Sequence, residues 1–380
     1  MSFFSPEQEA LREGARSFVR KEVVPHLQEW EDAGEVPREL HRAAAKQGFL
    51  GLGVPEEKGG SGGTFLDALA VTEAMAEAGA SSGLLAALFT SGIALPHIVA
   101  AGSDDLVDRF VRPTLAGETI GSLAITEPGG GSDVANIRTS AVRQGSAFVV
   151  NGAKTFITSG VRADFVTTAV RTGGPGYAGV SLLVIEKGTP GFEVTRSLSK
   201  MGWHCSDTAE LSFADVRVPA GNLVGEENGG FALIAQQFVT ERLALAVHGY
   251  GIAARALDLS VEYAKQRETF GKPLAARQVV QHRLVEMHRK VEVARTYTRE
   301  TARRFVAGEN PLAEALQAKA FAVEACSFVV DQAVQIHGGT GYMHGIEVER
   351  AYRDARILGI GGGATEVLND LTARLLGYTP

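Results

Sequence analysis

The amino-acid sequence predicts an α+β protein built from three successive units: helical, then all-β, then helical again. Up to about Gly117, apolar residues recur every third or fourth position, the period of a helix that buries one face. Over residues 120–224, short β-branched runs alternate with turn residues. Long amphipathic helices return after Asn228. Because 380 residues exceed one ordinary domain, separate domains are expected. Their expected bounds are 1–119, 120–225 and 226–380.

Proline positions mark helix boundaries in the first unit. Ser5 precedes Pro6, and a serine cap followed by proline in the first turn favours a helix start at this point. Because proline does not continue a helix, Pro25, Pro37 and Pro55 predict the ends of helical segments. The first unit is therefore expected to consist of several separate helices.

The sequence pattern of the middle unit predicts strands joined by turns. Its β-branched runs are AFVVNGAKTFITSG, ADFVTTAVRT, GVSLLVIEKG and AELSFADVRVP. Asn151-Gly152 lies between apolar runs, and this dipeptide favours a two-residue hairpin turn, so we expect a hairpin there. Asn228 stands before the next helical pattern and is expected to cap its N-terminus.

Residues 78–103 carry no charged side chain and are long enough to span a bilayer. The stretch is interrupted by small, polar and helix-breaking residues, namely Gly83, Thr90, Gly92, Pro96 and His97. Buried helices that line an apolar cavity therefore fit it better than a transmembrane segment. The N-terminus has early acidic residues and no apolar run typical of a signal peptide. We expect a cytoplasmic protein without a membrane span.

Composition and motifs argue against several classes of function. The net charge is −7 and no basic block occurs, which disfavours a nucleic-acid partner. Two cysteines, Cys205 and Cys326, without a CxxC motif suit a reducing cytosol. The histidines form no HExxH motif, so no metal site is expected. No GxxxxGK[ST] or GxSxG motif is present, and the GTG of HGGTGYMHG follows a helical pattern, which disfavours a Rossmann fold.

Two glycine-rich segments are candidates for ligand binding. TEPGGGSD, residues 126–133, is expected on a turn, where glycines let the backbone approach a ligand and present N–H groups to it. IGGGATEVLNDL, residues 360–371, reads as a glycine loop feeding a helix capped by Thr365, and a helix N-terminus favours anions. A structural interpretation stays open for each: an ordinary flexible turn for the first, a close helix crossing for the second.

Glu241 is an unusual residue for the apolar helix that contains it. A stripe on a helix expected to begin near Gly230 consists of Ile234, Phe238, Glu241, Leu245, His248 and Ile252. A carboxyl group in such a stripe faces an apolar pocket or a buried partner. Desolvation there would raise its pKa toward the range of a general base. The alternatives are an ion pair with a nearby arginine, or a helix face that is solvated after all.

Six motifs, in order along essentially the whole chain, resemble those of the acyl-CoA dehydrogenase family. They are AITEPGGGSD (124–133), NGAKTFITSG (151–160), KMGWHCSDTAELSFADVRVP (200–219), RETFGKPL (267–274), QIHGGTGY (335–342) and YRDARILGIGGGATEV (352–367). The resemblance implies an N-terminal helical domain, a middle β-barrel-like domain and a C-terminal four-helix bundle. It also implies FAD between the last two domains, in a homo-oligomer that is usually a tetramer.

The resemblance assigns FAD contacts to individual residues. Thr126, with the Ile125 backbone, is similar to the threonine that bonds the flavin pyrimidine, and Phe156 and Thr158 are similar to the residues that flank the flavin near N5. The contacts implied from a neighbouring subunit are Arg267, Thr269, Phe270, Gln335, Gly338 and Gly339. The other implied cofactor contacts are Leu123, Ser132, Ala364 and Glu366. Ser132 and Arg242 are also implied to bind substrate, Ser132 at its pantetheine arm.

The implied reaction is α,β-dehydrogenation of a fatty acyl-CoA thioester to the trans-2-enoyl-CoA. A base removes the α-proton while the β-hydrogen leaves as hydride to flavin N5, and hydrogen bonds to the thioester carbonyl stabilise the developing charge. In the family, the amide at the position of Gly362 supplies one of these bonds, and that position usually carries the base. Gly362 retains the amide but has no carboxylate. Glu241, beside Arg242, resembles the alternative base of the long-chain and isovaleryl branches, so we expect Glu241 to be the base.

Two residues depart from the family pattern. Ala364 stands where many relatives have a threonine that contacts FAD, and Val239 stands where several have an aspartate that contacts the CoA arm. The segments AKQRETFGK and HGGTGYMHG are similar to the corresponding segments of the long-chain branch, so a long- or medium-chain acyl-CoA is expected as the substrate. The uncharged helices expected around residues 84–99 are expected to line the acyl pocket, with Leu88 and Phe89 toward the end of the pocket. A bulky Phe89 would equally truncate the pocket.

Two alternatives to this function stay open. One is a branched short-chain, isovaleryl-type dehydrogenase, and the other is an oxidase-like flavoprotein of the same fold. For the dehydrogenase, the family implies an electron-transferring flavoprotein as the partner that reoxidises FAD, docking near Phe156.

Overall fold

The computed structural model describes residues 3–379 and confirms the order of helical, β and helical units. The helices of the first unit are α1 (Pro6–Phe18), α2 (Leu27–Ala33), α3 (Arg38–Lys46), α4 (Phe65–Glu77), α5 (Ser82–Leu88), α6 (Ser91–Ala94), α7 (Pro96–Ala101), α8 (Asp104–Leu106) and α9 (Arg112–Leu115). Single π-helical segments at Val19–Val23 and Val107–Val111 continue α1 and α8.

The predicted start of α1 is confirmed. The Gln8 N–H donates to Ser5 Oγ, and the Ser5 N–H donates to the Gln8 side chain, which together form a capping box with Pro6 in the first turn. Pro25 separates the first helix from α2, as predicted. Pro37 instead lies immediately before α3, where its fixed φ suits a helix start.

The uncharged stretch forms α5, α6 and α7, and these helices are packed inside the fold. Leu84, Leu88 and Ile98 are buried in a core that the N-terminal helices share with the β unit. Within residues 3–379, no single helix is long and apolar enough to cross a membrane. One bent pair, Ser82–Leu88 with Ser91–Ala101, meets the length and composition criteria together, with a 54° bend between its halves.

The middle unit is a sheet of eight strands. They are β1 (Gly121–Ala124), β2 (Ser140–Gln144), β3 (Ala147–Thr158), β4 (Phe165–Arg171), β5 (Val180–Glu186), β6 (Phe192–Ser197), β7 (Thr208–Pro219) and β8 (Leu223–Val224). The order across the sheet is β6-β7-β3-β2-β4-β5-β8, and β1 pairs in parallel with β4. Strand β1 and the end of β3 lie against the N-terminal helices, since a Cβ on Gly121 would be 3.1 Å from Ala94 Cβ and Ser159 Oγ lies 2.7 Å from Thr90 Oγ1.

The predicted hairpin at Asn151-Gly152 is wrong. The turn between β2 and β3 lies earlier, at Gly145 and Ser146, and Asn151-Gly152 falls inside β3 at an irregularity of the pairing with β7. A Cβ built on Gly152 would lie 2.6 Å from the Cα of Thr139. The glycine is therefore required by close approach of a neighbouring backbone at a β-bulge, not by a turn.

The third unit is a bundle of long helices. Its helices are α10 (Gly230–Gln236), α11 (Phe238–Gln266), α12 (Gln278–Val306), α13 (Leu312–His337), α14 (Glu347–Ala355) and α15 (Thr365–Leu375). A short hairpin of β9 (Glu268–Thr269) and β10 (Lys272–Pro273) joins α11 to α12. Helices α11 and α13 pack closely, since a Cβ on Gly249 would lie 3.1 Å from the Ala322 carbonyl oxygen.

Two predicted helix caps are wrong by one residue. Gly229, not Asn228, caps α10; Asn228 has φ 69°, and its side-chain oxygen accepts the Thr172 hydroxyl. Asparagine tolerates the left-handed conformation because its short polar side chain bonds locally. Ala364 occupies the cap position of α15, and Thr365 is the first helical residue. The α15 N-terminus therefore lacks a side-chain cap.

Candidate active site

Glu241 and Gly362 lie together at one end of the helical bundle. Glu241 is in the first turn of α11, and Gly362 is in the loop before α15. A Cβ built on Gly362 would lie 3.5 Å from Glu241 Oε1. A carboxylate on one helix and a glycine loop from a distant segment therefore face the same small space.

The predicted helical stripe spans two helices, because the helix breaks at Gln237. Ile234 lies on α10, and the rest of the stripe lies on α11. The Glu241 side chain is 31% exposed, and Arg242 Nη1 donates to Glu241 Oε2 at 2.6 Å. Of the alternatives that the sequence left open, the ion pair is present. It holds one carboxylate oxygen and leaves Oε1 on the side of Gly362.

Arg242 is fixed in turn by its own surroundings. Its guanidinium carbon lies 4.3 Å from the centre of the Phe238 ring, one turn earlier on α11. Its Nη2 lies 3.5 Å from the position of a Cβ on Gly363, so the same side chain contacts the glycine loop. Arg242 Nε is buried without a hydrogen-bond partner among the described residues. The arginine therefore links the carboxylate and the loop.

Two features favour a glycine at residue 362. A Cβ at this position would lie 2.1 Å from Leu245 Cδ1, so the Leu245 side chain would have to move. The loop also holds Gly362 at φ 61°, a conformation that costs other residues about 1–2 kcal/mol. Leu245 and Glu241, both on α11, therefore lie against the space beside Gly362.

Lys319 is a residue of the site that the sequence reasoning missed. It lies on α13 with its side chain fully buried, and its Nζ donates to the carbonyl oxygens of Gly361 at 2.8 Å and Gly363 at 2.5 Å. Burial lowers the pKa of Lys319 to about 8; the charge of Arg242 adds to this effect and that of Glu241 opposes it. A lysine within the apolar run ALQAKAFAVEA was the available signal.

Several predicted flavin contacts form one surface of the β unit. Leu123, Ile125 and Thr126, at the end of β1, are half-buried. The Thr155 N–H donates to the Thr126 carbonyl at 2.9 Å, which joins this segment to β3. Phe156 follows with φ 60° and a ring that is 69% exposed. Strained backbone that presents an aromatic ring is typical of ligand sites.

This surface suits a flat heteroaromatic ring. Thr126, which is bonded through its carbonyl to the residue before Phe156, and Thr158, two residues after Phe156, are both half-buried. The Ser122 hydroxyl donates to the Thr158 carbonyl at 2.6 Å, so β1 and β3 are held side by side. The residues present therefore fit the isoalloxazine ring of FAD.

A buried ion pair fixes the start of the glycine turn. Lys154 Nζ donates to the Ile125 carbonyl at 2.8 Å and to Glu127 Oε1 at 2.9 Å, and Glu127 also accepts the N–H groups of Arg138 and Thr139. Burial lowers the pKa of Lys154 to about 8, with Glu127 opposing this. The first residues of TEPGGGSD are therefore rigidly held, while Ser132, at its end, is exposed.

A second group of predicted FAD contacts lies at the other end of the bundle. Arg267 follows Glu241 by 26 positions along α11, so the two are about 39 Å apart at 1.5 Å per residue. The rings of Tyr263 and His337 stack with centroids 4.3 Å apart, which brings the end of α13 to the same place. The residues of this group are Arg267, Thr269, Phe270, Gln335, Gly338 and Gly339. Within one chain, the structure does not bring them to Glu241.

The remaining predicted residues lie in several places. Leu88 is buried in the N-terminal core and lines a small cavity with Leu50 and Thr90. Phe89 is half-buried at the end of α5, and Glu366 is exposed in the first turn of α15. Val239, the departure from the family pattern on α11, is buried among apolar side chains.

Family models match nearly the whole chain. The model described as the acyl-CoA dehydrogenase N-terminal domain matches residues 5–118, the middle-domain model matches 122–216, and the C-terminal-domain model matches 228–377.

Individual proteins show the same similarity. The chain is 40% identical over 375 residues to the mitochondrial long-chain specific acyl-CoA dehydrogenase of Sus scrofa, covering 98% of this chain and 86% of that protein. A crystal structure of a probable acyl-CoA dehydrogenase from Mycobacterium abscessus has a TM-score of 0.98 and 64% identity, covering 99% of this chain and 100% of that one. The structure of PigA with FAD and proline has a TM-score of 0.95 and 28% identity, covering 99% of each chain.

Proposed function

Because the chain belongs to the acyl-CoA dehydrogenase family, we propose that it converts a long- or medium-chain fatty acyl-CoA to the trans-2-enoyl-CoA, with Glu241 as the base. The chain is an oxidoreductase acting on acyl-CoA, and FAD is its cofactor. The observation that carries the proposal for the base is the 3.5 Å approach of Glu241 Oε1 to the Cβ position of Gly362.

The chain's own residues perform two tasks in this mechanism. Glu241 accepts the α-proton through Oε1, while Arg242 holds Oε2 and so fixes the direction of the carboxylate. The Gly362 N–H donates to the thioester carbonyl oxygen and stabilises the negative charge that develops there. Bound FAD supplies the ring that accepts the β-hydrogen as hydride. Proton removal and charge stabilisation are thus divided between α11 and the loop before α15.

We also propose that FAD is held between two subunits of a cytoplasmic tetramer. The surface around Phe156 fits the flavin ring, and the separation of about 39 Å between Glu241 and Arg267 supports a second chain as the source of the distal contacts. Phe270 on the β9–β10 hairpin is 97% exposed, as expected for a side chain whose partner lies on another subunit. The exposed ring of Phe156 also supports docking of an electron-transferring flavoprotein at this surface.

Substrate chain length is inferred from sequence similarity. The long-chain motifs and the similarity to a long-chain specific relative favour a straight long or medium chain. The alternatives are an isovaleryl-type dehydrogenase and an oxidase-like flavoprotein.

An anaerobic titration distinguishes these functions. Straight acyl-CoAs of graded length and isovaleryl-CoA are added to the FAD-loaded protein, and loss of flavin absorbance is followed. We expect the fastest loss with long or medium straight chains. Faster bleaching by isovaleryl-CoA would identify the branched-chain alternative, and no bleaching by any acyl-CoA would overturn the proposed reaction. Rapid reoxidation by oxygen, compared with an electron-transferring flavoprotein, would identify an oxidase.

A further inference from the structure

The carbonyls on both sides of Gly362 are held by one buried side chain, Lys319. Its Nζ lies 2.8 Å from the Gly361 oxygen and 2.5 Å from the Gly363 oxygen. No cis peptide bond occurs among the described residues. In a trans peptide the carbonyl and the following N–H point in opposite directions. Because Gly361 O points at Lys319, the Gly362 N–H points away from it.

The Gly362 N–H is left without an internal partner. The backbone hydrogen bonds of residues 3–379 include donations by Ile360 and Gly361 to the Ile357 carbonyl, and none by Gly362. Gly362 is partly exposed, so its N–H is available to a ligand atom that enters the site. The loop that carries it also faces Glu241, as the 3.5 Å approach of Oε1 shows.

We propose that Lys319 is a positioning residue, which aims the Gly362 N–H at the thioester carbonyl oxygen by holding the two flanking carbonyls. The proposal rests on the proposed function. Lys319 acts in two ways. It fixes the orientation of the 361–362 peptide, and its positive charge on the carbonyl strengthens the N–H of the same peptide as a donor, since linked hydrogen bonds polarise one another.

A purely structural role for Lys319 gives a different expectation. A buried ammonium group is costly to desolvate, and a methionine of similar length would pack in the same channel. If Lys319 only ties α13 to the loop, its loss changes stability and weakens every ligand alike. If Lys319 aims the N–H, its loss weakens only ligands that have a carbonyl oxygen to accept that bond.

The test compares two ligands that differ in this oxygen. The FAD-loaded enzyme is titrated calorimetrically with trans-2-dodecenoyl-CoA and with S-dodecyl-CoA, a thioether without the carbonyl. For Lys319→Met we expect thioester affinity to fall about tenfold, the size of one hydrogen bond, and thioether affinity to stay unchanged. Lys187→Met is the matched control, because Lys187 Nζ also donates to a main-chain carbonyl, that of Val161 at 3.0 Å, on the β unit.

Each outcome of this test is decisive. An unchanged ratio of thioester to thioether affinity in Lys319→Met would overturn the proposal. If that variant does not fold, Lys319→Leu, which also has no donor, is measured in the same way. Loss of folding in both variants would assign Lys319 to stability alone. Wild-type protein that does not prefer the thioester would instead contradict the proposed function, so the two failures are distinguishable.

Discussion

At the scale of single residues, the site is organised by competition for the space beside Gly362. A Cβ on residue 362 would lie 2.1 Å from Leu245 Cδ1 and 3.5 Å from Glu241 Oε1, the second an ordinary contact distance. A side chain on residue 362 therefore requires the Leu245 side chain to move. The side chain at residue 362 and the conformation of Leu245 are thus linked.

Replacing Glu241 tests the base. Glu241→Gln keeps the size of the side chain but has no carboxylate to accept the α-proton, so acyl-CoA should bind while flavin reduction slows by about 10²–10⁴-fold, the usual contribution of a general base. Stopped-flow absorbance under anaerobic conditions measures the rate. Glu262→Gln, an exposed position on the same helix, is the control. Near-native reduction by Glu241→Gln would show that another group removes the proton.

Moving the base to residue 362 tests the steric argument. In a Glu241→Gln background, Gly362→Glu alone should restore little flavin reduction, because the new Cβ would lie 2.1 Å from Leu245 Cδ1 and that side chain would have to move. Adding Leu245→Ala removes that atom and should restore part of the rate. Some loss of stability remains, since φ 61° disfavours a side chain by about 1–2 kcal/mol. Equal recovery with and without Leu245→Ala would contradict this account.

At the scale of secondary-structure elements, buried charges connect segments that are distant in the chain. Lys154 joins β3 to the turn after β1, and Lys319 joins α13 to the loop before α15. Asp354 on α14 is a third case: it accepts the Trp203 N–H at 2.7 Å and the Gly83 N–H at 3.4 Å. It therefore links α14 to the β6–β7 connection and to α5.

The stability of this junction should depend on pH. Burial and the nearby negative charge of Glu31 raise the pKa of Asp354 to about 7. A raised carboxyl pKa stabilises the fold fully below the unfolded value, near 4, and this contribution is lost as pH rises through 7. Between those values the contribution falls by about 1.4 kcal/mol per pH unit.

Comparison with Asp354→Asn isolates this contribution. Burial lowers the pKa of His41, His97 and His248 to about 4, so these groups contribute a pH dependence of the opposite sign over part of the same range. The quantity to measure is the difference in free energy of urea unfolding between wild type and Asp354→Asn at pH 5, 6 and 7. We expect the variant to become more stable relative to the wild type as pH rises. A constant difference would show that Asp354 stays ionised throughout.

At the scale of the whole molecule, the long helix α11 separates two groups of residues that we propose contact FAD. Glu241 is in its first turn, and Arg267, with the exposed hairpin that follows, is at its other end, about 39 Å away. In the proposed arrangement each chain carries two half-sites, and a complete site forms where the hairpin of one subunit meets the flavin surface of another.

Subunit complementation tests this arrangement. Glu241→Gln and Arg267→Ala chains are each expected to be impaired alone, the second in FAD binding. When they are co-expressed, a mixed pair should contain one site with intact Glu241 from one chain and intact Arg267 from the other, so acyl-CoA-dependent flavin reduction should reappear. Mixing the two separately purified, non-exchanging oligomers is the control. Absence of recovery in verified mixed oligomers would show that each chain binds FAD by itself.

The sequence by itself determined the features that depend on near neighbours or on motif order. Ser5 and Gln8 cap α1 as predicted, because a capping box involves only one helical turn. The order of the units and the family could also be inferred from the sequence, because six motifs occur along the chain in the family's order. Only the tertiary structure decided the role of Gly152. A glycine is needed there because the backbone of Thr139, on another segment, comes close to it. The same holds for Leu245 beside Gly362 and for Lys319 beneath Gly361, because a local pattern does not reveal which distant atoms share a space.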